Sequence, residues 1–265
     1  MSFRFRPNNS QQRRAFAVVA MSGLLATGCG GSGETGLGVD LVSEEQVQQM
    51  GIETWERIRS ETPTSSNQRY QQTADRVASK LLEAAGEDPR NWEVVVFESG
   101  QANAFALPGG KIGAYEGMFE IAENEAQLAA VIAHEIGHLQ AEHPQERVNS
   151  EVAAQGVLQL VSAALQAGDV AYANAVAGAL GAGARYGVLL PYSRNQELEA
   201  DRIGLRLMAQ AGYDPREALE LWRRMQQQGG VQPPVFLSTH PAPDERIEQL
   251  EELMPEALEA YRSDG

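Results

Sequence analysis

The sequence predicts an α+β fold that is predominantly helical, with one small sheet. Three observations lead there. Residues 128–139 read as a helix that is apolar nearly all round yet carries two histidines and a glutamate. β-forming residues concentrate in one stretch, 92–115. Periodic segments with N-cap residues fill most of the remaining chain from residue 43 onward.

The 265 residues are 43% apolar and 22% charged, which fits a globular protein with a real core. The formal net charge is −15. Residues 1–28 hold four of the 21 basic residues and no acid, so 17 basic face 36 acidic residues in the rest. Such a balance argues against nucleic acid as a partner and is read as a solubility feature. Cys29 is the only cysteine, which excludes an internal disulfide and a cysteine-rich metal site.

The chain begins with Arg4, Arg6, Arg13 and Arg14, followed by 14 uncharged, mostly apolar residues, Ala15 to Gly28. This is a signal-peptide pattern, too short for an ordinary membrane span. It ends in Leu25-Ala26-Thr27-Gly28-Cys29, which resembles a bacterial lipobox, with Cys29 as the lipidated residue. Gly30 rather than Asp after the cysteine favours the periplasmic face of the outer membrane over inner-membrane retention. The expected organisation is a signal peptide over 1–28, a lipid-anchored flexible tether over 29–42 and one folded domain over 43–265. Gly28, Gly30 and Gly33 spell G-x-G-x-x-G, but no strand precedes them, so no dinucleotide site is expected.

Ser43 and Gln46 form a capping-box pair opening a helix to about Ser60, and a second amphipathic helix follows over 67–85. Trp92 to Phe97 reads as a strand. Two short β-capable runs, 103–107 and 111–115, flank Pro108-Gly109-Gly110 and suggest a hairpin. An exposed strand edge there can hold an extended peptide by backbone pairing, or the sheet can be purely structural. Asn124 caps the central helix, which is expected to run to about Glu142, with Pro144 as its stop. His143 at that end can serve as a ligand, but the preferred reading is an end-of-helix histidine meeting the dipole or the next turn. Residues 151–190 are rich in Ala and Gly. They read as two helices packed on the core, or in part as a mobile cover, and polar residues recurring on one face argue against a membrane span. A helix opened by the run from Pro191 and reaching about Ala211, and helices over about 215–228 and 243–261, complete the chain, with Leu237 to Pro241 delivered by a loop.

The chemistry centres on His134-Glu135-Ile136-Gly137-His138. Four residues apart on a helix, the two imidazoles share a face and can hold one Zn²⁺, while Glu135 lies where it can take a proton from water. Three charged or polar groups in a buried helix are costly unless something satisfies them, and a metal does so. A catalytic zinc wants a third protein ligand. Glu197 is the best candidate, with Asp201 one turn later to hold a ligating histidine by its free N–H. Alone, the E-x-x-x-D pair is as well explained by a solvated acidic face.

HEIGH, NQELEAD, STHPAPDER and, upstream, NAFALPGG together resemble the HtpX-like and CAAX-prenyl-protease-like zinc metallopeptidases, a gluzincin group. With the lipobox, the look is that of the LoiP-like outer-membrane lipoprotein peptidases. The resemblance spans about residues 43–262. It implies a zincin-type, mostly helical α+β domain with a small sheet beside the active-site helix. It implies one Zn²⁺ held by His134, His138 and Glu197, and Glu135 as general base and acid. It carries over Asp201 as the group orienting a ligand, and Asn103 as a residue near the substrate-binding edge. His240 and Arg246 match the family's H-P-x-x-x-x-R element. His240 is then a hydrogen-bond donor to the oxyanion or a fourth zinc ligand displaced by substrate, and Arg246 braces the polar network.

The expected activity is zinc-dependent endopeptidase hydrolysis of protein or peptide substrates, misfolded or misassembled envelope proteins above all. Envelope assembly machinery is a candidate partner, and a chaperone-like role on the outer membrane is the rival reading, which can coexist.

Overall fold

The computed structural model describes residues 41–167, 192–228, 235–240 and 244–263. Helix α1 (Glu44–Glu61) opens on the expected capping box: Ser43 Oγ accepts from Gln46 N–H while the Gln46 side chain accepts from Ser43 N–H. Asn67 caps α2 (Gln68–Ala84). Then come β1 (Glu93–Phe97), β2 (Ala104–Leu107) and β3 (Lys111–Tyr115), and the short α3 (Glu116–Ile121), which sequence periodicity did not announce.

The three strands form one sheet in the order β1-β3-β2. The β2–β3 pair is the expected antiparallel hairpin, and Gly109 and Gly110 take positive φ in its turn. β1 pairs with β3 in parallel, Val95 opposite Gly113. Alternation then sorts the side chains by face. Val95, Phe97, Phe105 and Tyr115 meet Trp55 of α1 on one face. Ala104, Ile112 and Ala114 join the main core on the other, with α2 and the central helix.

That central helix is α4 (Glu125–Gln140), capped by Asn124, whose side chain accepts from Gln127 N–H. Every residue from Gln127 to His138 is buried. Its surroundings are α2, β2, α6 (Arg194–Gln210) and α7 (Arg216–Gln228). The helix stops earlier than Pro144 suggested. Glu142 adopts φ 56°, the left-handed region, and α5 (His143–Ala167) begins at once. Pro144 sits in the first turn of α5, where a missing N–H costs nothing, so it starts the next helix rather than ending the last. The left-handed Glu142 costs roughly 1–2 kcal/mol.

α5 also holds the residues just before α1, since Asn149 Oδ1 accepts from the backbone N–H groups of Leu41 and Val42. Of the stretch 151–190, residues 151–167 belong to α5 and 168–190 lie outside the described residues, so the two-helix and cover readings are not addressed there. α8 (Val235–Thr239) carries Phe236 into the core, and α9 (Asp244–Ser263) packs on α6 and α7.

Two glycines set the closest helix approach. A Cβ on Gly137 of α4 would lie 2.8 Å from the Ala200 carbonyl oxygen of α6, and one on Gly204 of α6 would lie 3.1 Å from His134 N. Bare backbone at these points lets α4 and α6 touch directly.

Candidate metal centre

The α4–α6 contact brings the expected residues together. His134 and His138 project from α4, Glu197 comes from the first turn of α6, and His240 follows α8. Each offers a ligand atom, and these atoms all lie within 4.8 Å of one another. All four side chains are buried. His134 Nε2 stands 3.1 Å from His138 Nε2 and 3.2 Å from His240 Nδ1. Glu197 reaches His134 Nε2 and His138 Nε2 at 3.4 Å each, and His240 Nδ1 at 3.0 Å.

His134 is oriented from behind, because its Nδ1 lies 2.9 Å from Asp201 Oδ1. Asp201 is itself gripped by Arg246, through Nε at 2.5 Å and Nη2 at 2.7 Å. The same guanidinium reaches Glu197 Oε2 at 2.7 Å and lies 3.8 Å from the centre of the Trp222 ring. Arg246 is thus a buried cation that neutralises the carboxylates behind the cluster.

Electrostatics follow from this packing. Burial and Arg246 push His134 down, but the Asp201 and Glu197 carboxylates outweigh them and raise it to about 9. Burial lowers His138 to about 3 against the pull of Glu197, which leaves it a neutral lone-pair donor. Glu197 is buried, yet hydrogen bonds from His134, His138 and His240 hold it well below the usual carboxylate range. Burial pushes Glu135 up, the opposite of Glu197.

The residues fit a cation. With His134 Nδ1 facing Asp201, a cation that displaced the protons from this cluster would meet lone pairs on the Nε2 atoms of His134 and His138, on His240 Nδ1 and on the Glu197 carboxylate, all bordering one small volume. A set of histidine nitrogens and one carboxylate, without cysteine, suits a divalent transition metal, zinc among them. Glu135 Oε1 is buried with no hydrogen-bond partner among the described residues, 3.3 Å from His240 Nε2. The backbone of Ala106 in β2 hydrogen-bonds the Glu135 carboxylate, so the sheet edge borders the site.

Asn103 is half-buried just before β2 and outside the cluster; its carbonyl accepts from Tyr115 N–H. Cys29 and the 1–28 segment lie outside the described residues. Two residues outside the expected site set join it, and His143, expected at the end of the central helix, instead opens α5. His143 is buried with Nδ1 2.8 Å from His138 Nδ1. Tyr192 stacks on His138 at 4.0 Å between ring centres, under the Arg147 guanidinium, and burial together with Glu135 raises its hydroxyl to about 12. His143 was visible as the third histidine within ten residues; nothing in the sequence marked Tyr192.

Comparison with known proteins agrees with this geometry. The profile of peptidase family M48 matches residues 65–254, most of the chain. The mitochondrial metalloendopeptidase OMA1 of Schizosaccharomyces pombe is 35% identical over 222 residues, covering 82% of this chain and 63% of that protein. Its counterpart of the same name in Saccharomyces cerevisiae is 35% identical over 204 residues, covering 71% and 56%. The beta-barrel assembly-enhancing protease of Escherichia coli is 28% identical over 212 residues, covering 76% and 42%. The chain thus spans roughly half the length of these relatives. Family profile, relatives and buried donor cluster converge: the chain belongs to peptidase family M48, the metallopeptidase class that HEIGH, NQELEAD and STHPAPDER lead one to expect.

Proposed function

We propose that the chain is a zinc-dependent endopeptidase of the bacterial envelope, tethered by lipid on Cys29, which acts on misfolded or misassembled envelope proteins. One observation carries the catalytic part. Four buried metal-ligating atoms converge beside a carboxyl with an unpartnered oxygen, at the border of a sheet edge. His134, His138 and Glu197 would hold the zinc, with His240 as a fourth ligand at rest, since its Nδ1 points into the cluster. Bound zinc supplies a Lewis acid that lowers the pKa of water and polarises a carbonyl.

The chain's own residues do the rest. Glu135 takes the proton of the attacking water and passes it to the leaving amine, and its raised pKa lets it hold that proton between the two events. Asp201 keeps His134 in the tautomer with Nδ1 protonated. Arg246 keeps Asp201 and Glu197 ionised and fixed. The outer edge of β1 is covered, since Glu98 N–H and Val96 C=O pair with Pro63 and Ser65. β2 is the opposite edge of the sheet, beside Glu135, and an extended peptide would add there by main-chain pairing, with Asn103 at its start.

The lipobox-like run supports the anchor, and no helix among the described residues is long and apolar enough to cross a membrane. The name of the E. coli relative motivates an assembly role beside proteolysis. The decisive experiment measures zinc content and casein cleavage for wild type and Glu135→Gln. The variant is expected to keep zinc and lose cleavage; cleavage at the wild-type rate refutes the assignment. An envelope function that survives Glu135→Gln is the mark of the chaperone-like role.

A further inference from the structure

His143 is 1% exposed, and neither the proposed zinc set nor the proton-transfer steps use it. The chain reverses at Glu142 and starts α5 at His143, which folds this imidazole back onto the end of α4. Its Nδ1 lies 2.8 Å from Nδ1 of His138. The rest of the His138 ring is already accounted for. Nε2 faces the cluster, 3.1 Å from His134 Nε2 and 3.4 Å from Glu197 Oε1, and one ring face is stacked on Tyr192. The remaining polar atom, Nδ1, has His143 as its partner.

We infer that His143 is the positioning residue for His138, holding it in the tautomer and rotation that offer Nε2 to a metal. The inference rests on the zinc reading above. Only one proton fits between two Nδ1 atoms 2.8 Å apart. When His138 gives its Nε2 lone pair to a cation, that proton belongs to His138 Nδ1, and His143 Nδ1 accepts it. His143 then carries its own proton on Nε2, which points toward Glu199 Oε2 at 3.4 Å. Glu199 sits on α6 two residues after Glu197, its side chain 60% exposed. A His138–His143–Glu199 chain therefore runs from the ligand to solvent. It mirrors the His134–Asp201–Arg246 chain on the other ligand, with one difference. The acceptor behind His138 is a neutral imidazole, so it orients the ligand without adding a second carboxylate charge next to Glu197.

The test uses the full-length chain with ¹⁵N-labelled histidine. Long-range ¹H–¹⁵N spectra of the zinc-loaded wild type assign the His138 tautomer, and chelator competition measures zinc affinity for wild type, His143→Leu and His143→Asn. Urea unfolding of the metal-free proteins reports on folding separately. The wild type is expected to show His138 protonated at Nδ1. His143→Leu should weaken zinc binding roughly 10- to 100-fold, the range for lost partners behind metal ligands. His143→Asn, whose carboxamide oxygen still accepts, should recover most of that affinity. His138 protonated at Nε2 in the wild type overturns the inference, whatever the variants do. So does wild-type zinc affinity in His143→Leu, or an Asn variant that folds normally yet binds as poorly as the Leu variant. A wild type that binds no zinc overturns the zinc reading and this inference together.

Discussion

Gly137→Ala tests whether helix packing sets the metal centre. The new Cβ would lie 2.8 Å from the Ala200 carbonyl oxygen, 3.2 Å from its Cα and 3.4 Å from its carbonyl carbon. All three are backbone atoms of α6, so no side chain can swing away, and α6 must recede by a few tenths of an ångström. Alanine gains about 1 kcal/mol over glycine inside a helix, while overpacking a core costs about 1–3 kcal/mol. The metal-free chain should thus be destabilised by roughly 0–2 kcal/mol. The effect on the site is larger. Glu197 and Asp201 ride on α6 on either side of Ala200, and their distances to His134 and His138 are the α4–α6 spacing read out in side chains. Metal sites tolerate ligand displacements of only about 0.2 Å. Zinc affinity, measured by chelator competition, should fall about tenfold or more. Gly156→Ala is the control, because a Cβ at this exposed position on α5 meets nothing within 4 Å. It should stabilise by up to about 1 kcal/mol and leave zinc binding unchanged. The reasoning is refuted if Gly137→Ala stabilises the metal-free chain as much as Gly156→Ala does and binds zinc like wild type.

Three further perturbations separate the roles of neighbouring groups. Asp201→Asn leaves Arg246 buried without its main partner and should cost about 3–5 kcal/mol in urea unfolding of the metal-free chain. Arg246 holds the Asp201 pKa below its unfolded value despite burial, so this stability is fully present above about pH 4 and is lost as pH falls through the lower folded pKa; the gap between wild type and Asp201→Asn should close only at the acid end. His240→Ala should weaken zinc binding and raise peptide turnover if His240 is a resting ligand; lost turnover with intact zinc binding identifies it instead as an oxyanion donor, and unchanged turnover and affinity sink both roles. Trp222→Ala should cost about 3–5 kcal/mol, since it opens a cavity in the core and bares the ring face against which Arg246 lies.

Local patterns carried the parts of this molecule that depend on local geometry. The spacing of His134 and His138 is a helical period, and so is that of Glu197 and Asp201, which is why both pairs could be placed on faces before any tertiary contact was known. The capping box at Ser43 likewise closes within one turn. Non-local facts were different. Parallel pairing of β1 with β3 joins strands with β2 between them in the chain, and no short-range rule specifies it. Arg246 and His240 came from a family pattern rather than from periodicity, because they reach the site across helix ends.

His143 shows why proximity in sequence is not enough. It stands five residues from His138, near neither a helical period nor a turn rule, and Pro144 beside it, expected as a stop, starts the next helix instead. The reversal is made by two successive residues, Ala141 with ψ 6° and Glu142 with φ 56°. With Glu142 in the right-handed region, α4 would continue, and five residues of helix turn by about 140° more than one full turn, which puts His143 on another face from His138. The left-handed kink brings the ring back instead. A strained residue persists only where its surroundings over-determine it. Here those surroundings are the buried His143 ring and its bond to His138. Glu142→Gly removes the local penalty, so the chain should gain stability while keeping zinc affinity. A variant that instead loses zinc affinity, with α4 and α5 merged into one helix, would show that the kink depends on the side chain of Glu142 and not on the packing of His143.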